Sequence, residues 1–135
     1  MKCLVLSDDL MFGSQIVQVG RQAGCELTQA DSLSAWSEQL RQQPGIRCCV
    51  VDLNTRGLEL PALVAAVAEV LPVNEVRWLA IGPHVHRDKL AAAHQMGWHV
   101  MTRGQFHAEG ATLLRTWGDT KSPTTLADGT SLANP

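Results

Sequence analysis

Ile46-Arg47-Cys48-Cys49-Val50-Val51-Asp52 is the most telling stretch of this chain. Five of its first six residues are apolar or small, the run is too short for a helix, and an acid closes it. That pattern reads as a strand buried on both faces, which in turn implies a parallel sheet covered by helices. A second run of the same kind, Lys2-Cys3-Leu4-Val5-Leu6, is closed by Ser7-Asp8-Asp9.

Helical patterns separate the strand-like runs. Phe12, Ile16, Val19, Gly20 and Ala23 fall on one helical face, and Gly24 stops that helix. Glu26–Ala30 alternates weakly as a strand. Asp31 or Ser32 can cap a helix with Leu33, Trp36 and Leu40 on its inner face, ending at Pro44-Gly45. After Asp52, Leu60, Leu63, Val64, Val67 and Leu71 repeat at helical spacing, with Pro61 acceptable in the first turn. Glu75–Ile81 is expected as the next strand, Asp88–Met96 as a short helix and Trp98–Met101 as a brief strand. Phe106, Leu113, Leu114 and Trp117 face inward from a last helix, with Gly110 as its weak point.

Five strand–helix units in strict alternation imply a doubly wound α/β domain with right-handed crossovers and helices on both faces. The size suits five parallel strands in the flavodoxin-like order 2-1-3-4-5. The domain is expected over residues 1–118. Residues 119–135, rich in Thr, Ser, Pro, Asp and Gly, are expected to be a disordered tail.

Composition narrows the function. The chain has 135 residues, a net charge of -2 and 18% charged residues, so no nucleic-acid partner is expected. No apolar run approaches the roughly 20 residues of a membrane helix. The apolar stretch at the N-terminus is too short for a signal peptide, and a cytoplasmic location is expected. Cys3, Cys25, Cys48 and Cys49 contain no C-x-x-C pair and are expected as buried hydrophobes.

In this strand order, ligands bind beyond the carboxyl ends of strands 1 and 3, where the winding direction switches. Those ends carry Ser7-Asp8-Asp9 and Asp52, so acids distant in sequence converge on one crevice. Packed carboxylates repel one another, and a hard cation such as Mg²⁺ would offset that cost. Asp9 taken alone is expected to cap the helix that follows. No glycine-rich phosphate loop follows strand 1, and no G-x-S-x-G elbow is present.

The residues resemble a response-regulator receiver (CheY-like) domain over residues 2–118. Val50-Val51-Asp52-Leu53-Asn54-Thr55-Arg56-Gly57-Leu58-Glu59-Leu60 is similar to the family's phospho-acceptor strand and loop, and Ser7-Asp8-Asp9 to its acidic pair. Met96-Gly97 and Arg103-Gly104-Gln105-Phe106 resemble its closing segment. The resemblance implies a phosphoryl group on Asp52 and Mg²⁺ held by Asp8, Asp9, Asp52 and the carbonyl of Asn54. Counting back from Gly24 aligns Ser7-Asp8 with the acidic pair, whereas matching the dipeptide directly uses Asp8-Asp9.

Three positions depart from the pattern. Gly82 stands where the family has a Ser or Thr hydroxyl, Arg103 where it has Lys, and Arg56 where a proline is expected. A degenerate, stand-alone receiver acting by protein contact is the first expectation. Its partner would be a histidine kinase or other signalling protein, or a second copy in a homodimer, and no enzymatic activity is expected. An active acceptor at Asp52 is the second. A small-molecule or metal sensor at His84, His86 and Arg103 is the third. The remaining histidines, His94, His99 and His107, are expected at the surface, and the tryptophans in the core.

Overall fold

The computed structural model describes residues 1–119. Along the chain run β1 (Lys2–Leu6), α1 (Leu10–Gln22), β2 (Glu26–Ala30), α2 (Leu33–Gln42), β3 (Ile46–Asp52) and α3 (Leu60–Ala68). A 3₁₀ turn (Val73–Glu75), β4 (Arg77–Gly82), α4 (Arg87–Gln95), β5 (His99–Thr102) and α5 (Arg103–Gly118) complete it. The five strands are all parallel and lie in the order β2-β1-β3-β4-β5, as the alternation of strand and helix implied.

Alternate side chains of each strand leave opposite faces of the sheet and build two cores. Leu4, Leu6, Cys49, Val51 and Ala80 join Trp36 and Leu40 of α2 and Leu63 and Val67 of α3. On the other face, Cys3, Val5, Cys48, Val50, Leu79 and Ile81 join Phe12 and Ile16 of α1 and Phe106, Leu114 and Trp117 of α5. All four tryptophans are buried. Trp78 and Trp98 stack with ring centres 4.5 Å apart and planes 7° from parallel. The four thiols are free and buried, and burial pushes the Cys49 thiol well above its ordinary range.

Several details differ from the sequence reading. The fourth strand begins at Arg77, because Glu75 closes a turn on the carbonyl of Pro72. The third helix ends at Ala68, and Leu71 follows in a turn before Pro72. Leu33, expected on the inner face, is 40% exposed because it opens α2 at the rim. Gly110 is not a weak point of α5. It is buried, and a Cβ there would lie 2.5 Å from the Phe106 ring, so glycine is what lets that ring lie flat on the helix. Asp119 is the C-cap of α5. The rest of the expected tail lies outside the described residues. No described helix is long and apolar enough to cross a membrane.

Candidate functional site

Parallel pairing brings the carboxyl ends of β1, β3, β4 and β5 to one edge of the sheet. Asp52 closes β3 there and is fully buried. Each of its carboxylate oxygens accepts a hydrogen bond. The Ser7 hydroxyl donates to Oδ2 at 2.7 Å, and the Asn54 backbone N–H donates to Oδ1 at 3.0 Å. Behind the carboxylate, the Thr55 hydroxyl donates to the Asp52 carbonyl at 2.7 Å and tightens the turn out of β3.

The acids at the end of β1 take separate roles. Asp8 Oδ2 accepts both the backbone N–H of Arg56 (3.1 Å) and its Nε (3.0 Å). Those two bonds hold the Asp8 carboxyl below the usual carboxylate range. Asp9 is the N-cap of α1, its Oδ1 accepting the Phe12 N–H at 3.0 Å. Phe12 in turn carries the Arg103 guanidinium, whose carbon lies 4.2 Å from the ring centre. Arg103 Nη2 stops 4.0 Å from Asp52 Oδ1, and Arg103 Nε is buried with no hydrogen-bond partner among the described residues.

The expected metal set of Asp8, Asp9, Asp52 and Asn54 is therefore not assembled at one point. Asp9 is committed to the helix cap, Asp8 to Arg56, and a serine hydroxyl occupies the side of Asp52 nearest β1. Among the described residues, no three His, Cys, Asp or Glu side chains are grouped to hold a metal. With Asp9 capping α1 and Asp8 paired with Arg56, the set is not preformed for a divalent cation. Ser7 is the site residue that sequence reasoning missed. Counting back from Gly24 had placed it at an acidic position, and that was the available signal.

Gly82 ends β4 beside Asp52. A Cβ built on it would meet Leu53 at 3.4 Å and Leu90 at 3.5 Å, so leucine side chains border the position where the resemblance calls for a hydroxyl. His84 is exposed in the loop after β4, and His86 is the N-cap residue of α4 without a side-chain cap bond. His86 Nδ1 is buried and unbonded among the described residues. His94, His99 and His107 are exposed, as expected.

No protein-family model matches the sequence, and no curated protein matches it either. Solved structures do match. The signal receiver domain of a DNA-binding response regulator from Colwellia psychrerythraea 34H superposes with a TM-score of 0.74 at 10% identity, over 89% of this chain and 99% of that one. This chain has the receiver fold. A response regulator receiver domain protein from Clostridium thermocellum carries it too, with a TM-score of 0.66 at 15% identity over 87% and 95% of the two chains. A response regulator from Burkholderia pseudomallei, solved with a phosphorylated aspartic acid, calcium ion and citrate, gives 0.64 at 14% identity over 99% and 75%. The receiver fold explains why Asp8, Asp52, Gly82 and Arg103 share one edge.

Proposed function

We propose that this chain is a receiver-type signalling module, not an enzyme, that acts by binding a protein partner with its carboxylate edge held in one state. The observation that carries this reading is the occupancy of Asp52. The side chain is fully buried, and both of its oxygens already accept hydrogen bonds from Ser7 and Asn54. Each oxygen keeps a second lone pair, but attack on a phosphoryl donor needs this buried carboxylate to be reached from solvent and a cation to balance the incoming charge. Here the guanidinium of Arg56 is bonded to Asp8, a cation supplied by the chain itself.

Switching normally requires a group that bonds the added phosphoryl oxygens and biases a two-state element. Gly82 offers no hydroxyl for that task, and Leu53 and Leu90 border it. The partner expected is a histidine kinase or another protein of a two-component-type pathway, with a second copy of this chain as the other candidate. The test is incubation with acetyl phosphate and Mg²⁺, read by intact mass and amide NMR. No phosphoryl gain, together with unchanged amide shifts through α4, supports the proposal. One phosphoryl group on Asp52 would overturn it.

An active acceptor with Mg²⁺ is the second reading. Arg103 favours it, since its guanidinium lies 4.0 Å from Asp52 and would meet a phosphoryl group there. Under this reading Arg56 must leave Asp8 before a metal enters.

A further inference from the structure

We propose that the cleft between the β3–α3 loop and α4 binds a small organic anion with an apolar body. The cleft has a volume of about 580 Å³, within the roughly 300–1,000 Å³ typical of small-molecule sites. Its lining divides by chemistry. Leu53, Leu58, Leu60 and Ala92 supply an apolar floor and walls, and Arg56 and Lys89 supply two positive charges.

No acid lines the cleft, although the chain as a whole carries a net charge of -2. Glu59 and Asp88 are neighbours in sequence, yet neither lines it. Lys89 supplies the cleft's positive charge, with a smaller share from Arg56, which Asp8 partly neutralises, and this favours an anion. Lys89 makes no ion pair among the described residues. Arg56 gives Nε to Asp8, but its side chain is 93% exposed, so its charge still faces the solvent side of the cleft.

The polar groups of the loop are largely committed elsewhere. Thr55 donates its hydroxyl to the Asp52 carbonyl and the Asn54 N–H goes to the Asp52 carboxylate. What remains for a ligand is hydrocarbon surface, the Asn54 carboxamide and the two cationic ends. A neutral apolar molecule would satisfy only the hydrocarbon surface, and an inorganic anion only the polar and cationic groups. An alkyl or aryl carboxylate satisfies both. This inference does not depend on whether Asp52 takes a phosphoryl group.

The test is an amide NMR titration of the full chain with sodium octanoate, with octan-1-ol as the uncharged control. Octanoate is expected to shift the amides of residues 53–60 and 89–92, and octan-1-ol to bind more weakly at the same place. Lys89→Glu should weaken octanoate by about tenfold, the scale of one charge-assisted contact, and leave octan-1-ol unchanged. Ala92→Trp, at an exposed helix position, should block both. Both variants alter exposed residues, and amide dispersion checks their folding. If Ala92→Trp unfolds, Lys89→Glu still decides the question. The proposal is overturned if octanoate shifts neither segment, if octan-1-ol binds as tightly, or if Lys89→Glu has no effect.

Discussion

The Ser7 hydroxyl donates to Asp52 Oδ2 at 2.7 Å, and both residues are fully buried. The bond joins the ends of two neighbouring strands across 45 residues of sequence. It satisfies a carboxylate oxygen that water does not reach, so its loss costs more than the bond alone.

Ser7→Ala should therefore lower the unfolding free energy by about 1.5–3 kcal/mol, the range for a buried hydrogen bond to a charged group. Urea denaturation measures this. A change within about 0.5 kcal/mol would place the bond among ordinary surface contacts and remove its structural role.

Ser7→Asp would set a second carboxylate against Asp52. Like charges at that separation, out of water, disfavour each other's ionised forms. The variant is expected to melt lower than the parent in EDTA and to regain stability in millimolar Mg²⁺, while the parent responds to neither. Equal melting of parent and variant in both buffers would refute the idea that Ser7 sets the metal preference of this edge.

The Asp8–Arg56 pair fixes a direction in pH. Asp8 titrates lower when folded than when unfolded, so it stabilises the fold above the ordinary carboxylate value of about 4. That contribution disappears as pH falls through the folded value. Arg56 is exposed and salt screens the pair, so the effect should be small and largest at low ionic strength. Arg56→Ala removes the Nε bond but keeps the backbone N–H, the larger cause, so it should flatten the loss of stability in acid only in part. Acid unfolding curves at two salt concentrations test it, and identical curves for parent and variant would show that the guanidinium adds nothing to the backbone bond.

Gly82→Ser should be tolerated. Its Cβ would make ordinary contacts with Leu53 and Leu90, and the backbone of β4 is extended there. A stability change below about 1 kcal/mol is expected, with a hydroxyl delivered beside Asp52. If acetyl phosphate then labels the variant and not the parent, Gly82 is the reason the parent is silent.

Gly110→Ala runs against helix propensity. Alanine is favoured over glycine in a helix interior by about 1 kcal/mol, but here the new methyl would strike the fully buried Phe106 ring. Overpacking typically costs about 1–3 kcal/mol, so net destabilisation is expected. A raised melting temperature would show that the ring moves aside at no cost.

The fold was legible because it rests on period. Short apolar runs such as Cys48–Val51, set between faces of Phe12/Ile16 and Leu63/Val67, report a buried parallel sheet whatever the side-chain details. Boundaries were less legible where a turn competed with a strand, as at Glu75, which bonds the Pro72 carbonyl. In the candidate site, the meeting of Asp8 and Asp52 at one edge followed from strand order alone. The division of labour between Asp8 and Asp9 did not, since adjacent identical residues differ only in where the chain turns after β1. Arg56 stood out in sequence merely as a substitute for proline, and its bond to Asp8 spans 48 residues. Side-chain hydrogen bonds of that range depend on loop conformation, which no periodicity encodes.

The position of β1 also governs the order of assembly. It is paired on one side by β2 and on the other by β3, yet it is synthesised before either. Until Asp52 has been made, one edge of an almost wholly apolar strand stays open to other chains. Parallel pairing is slow because each ladder needs its crossover closed first. A translational pause before residue 46 would prolong that exposure, and one after β3 has left the ribosome would allow β2, β1 and β3 to close. Yield in the cell is thus expected to depend on the tempo of synthesis across β3 as well as on the final stability of the sheet.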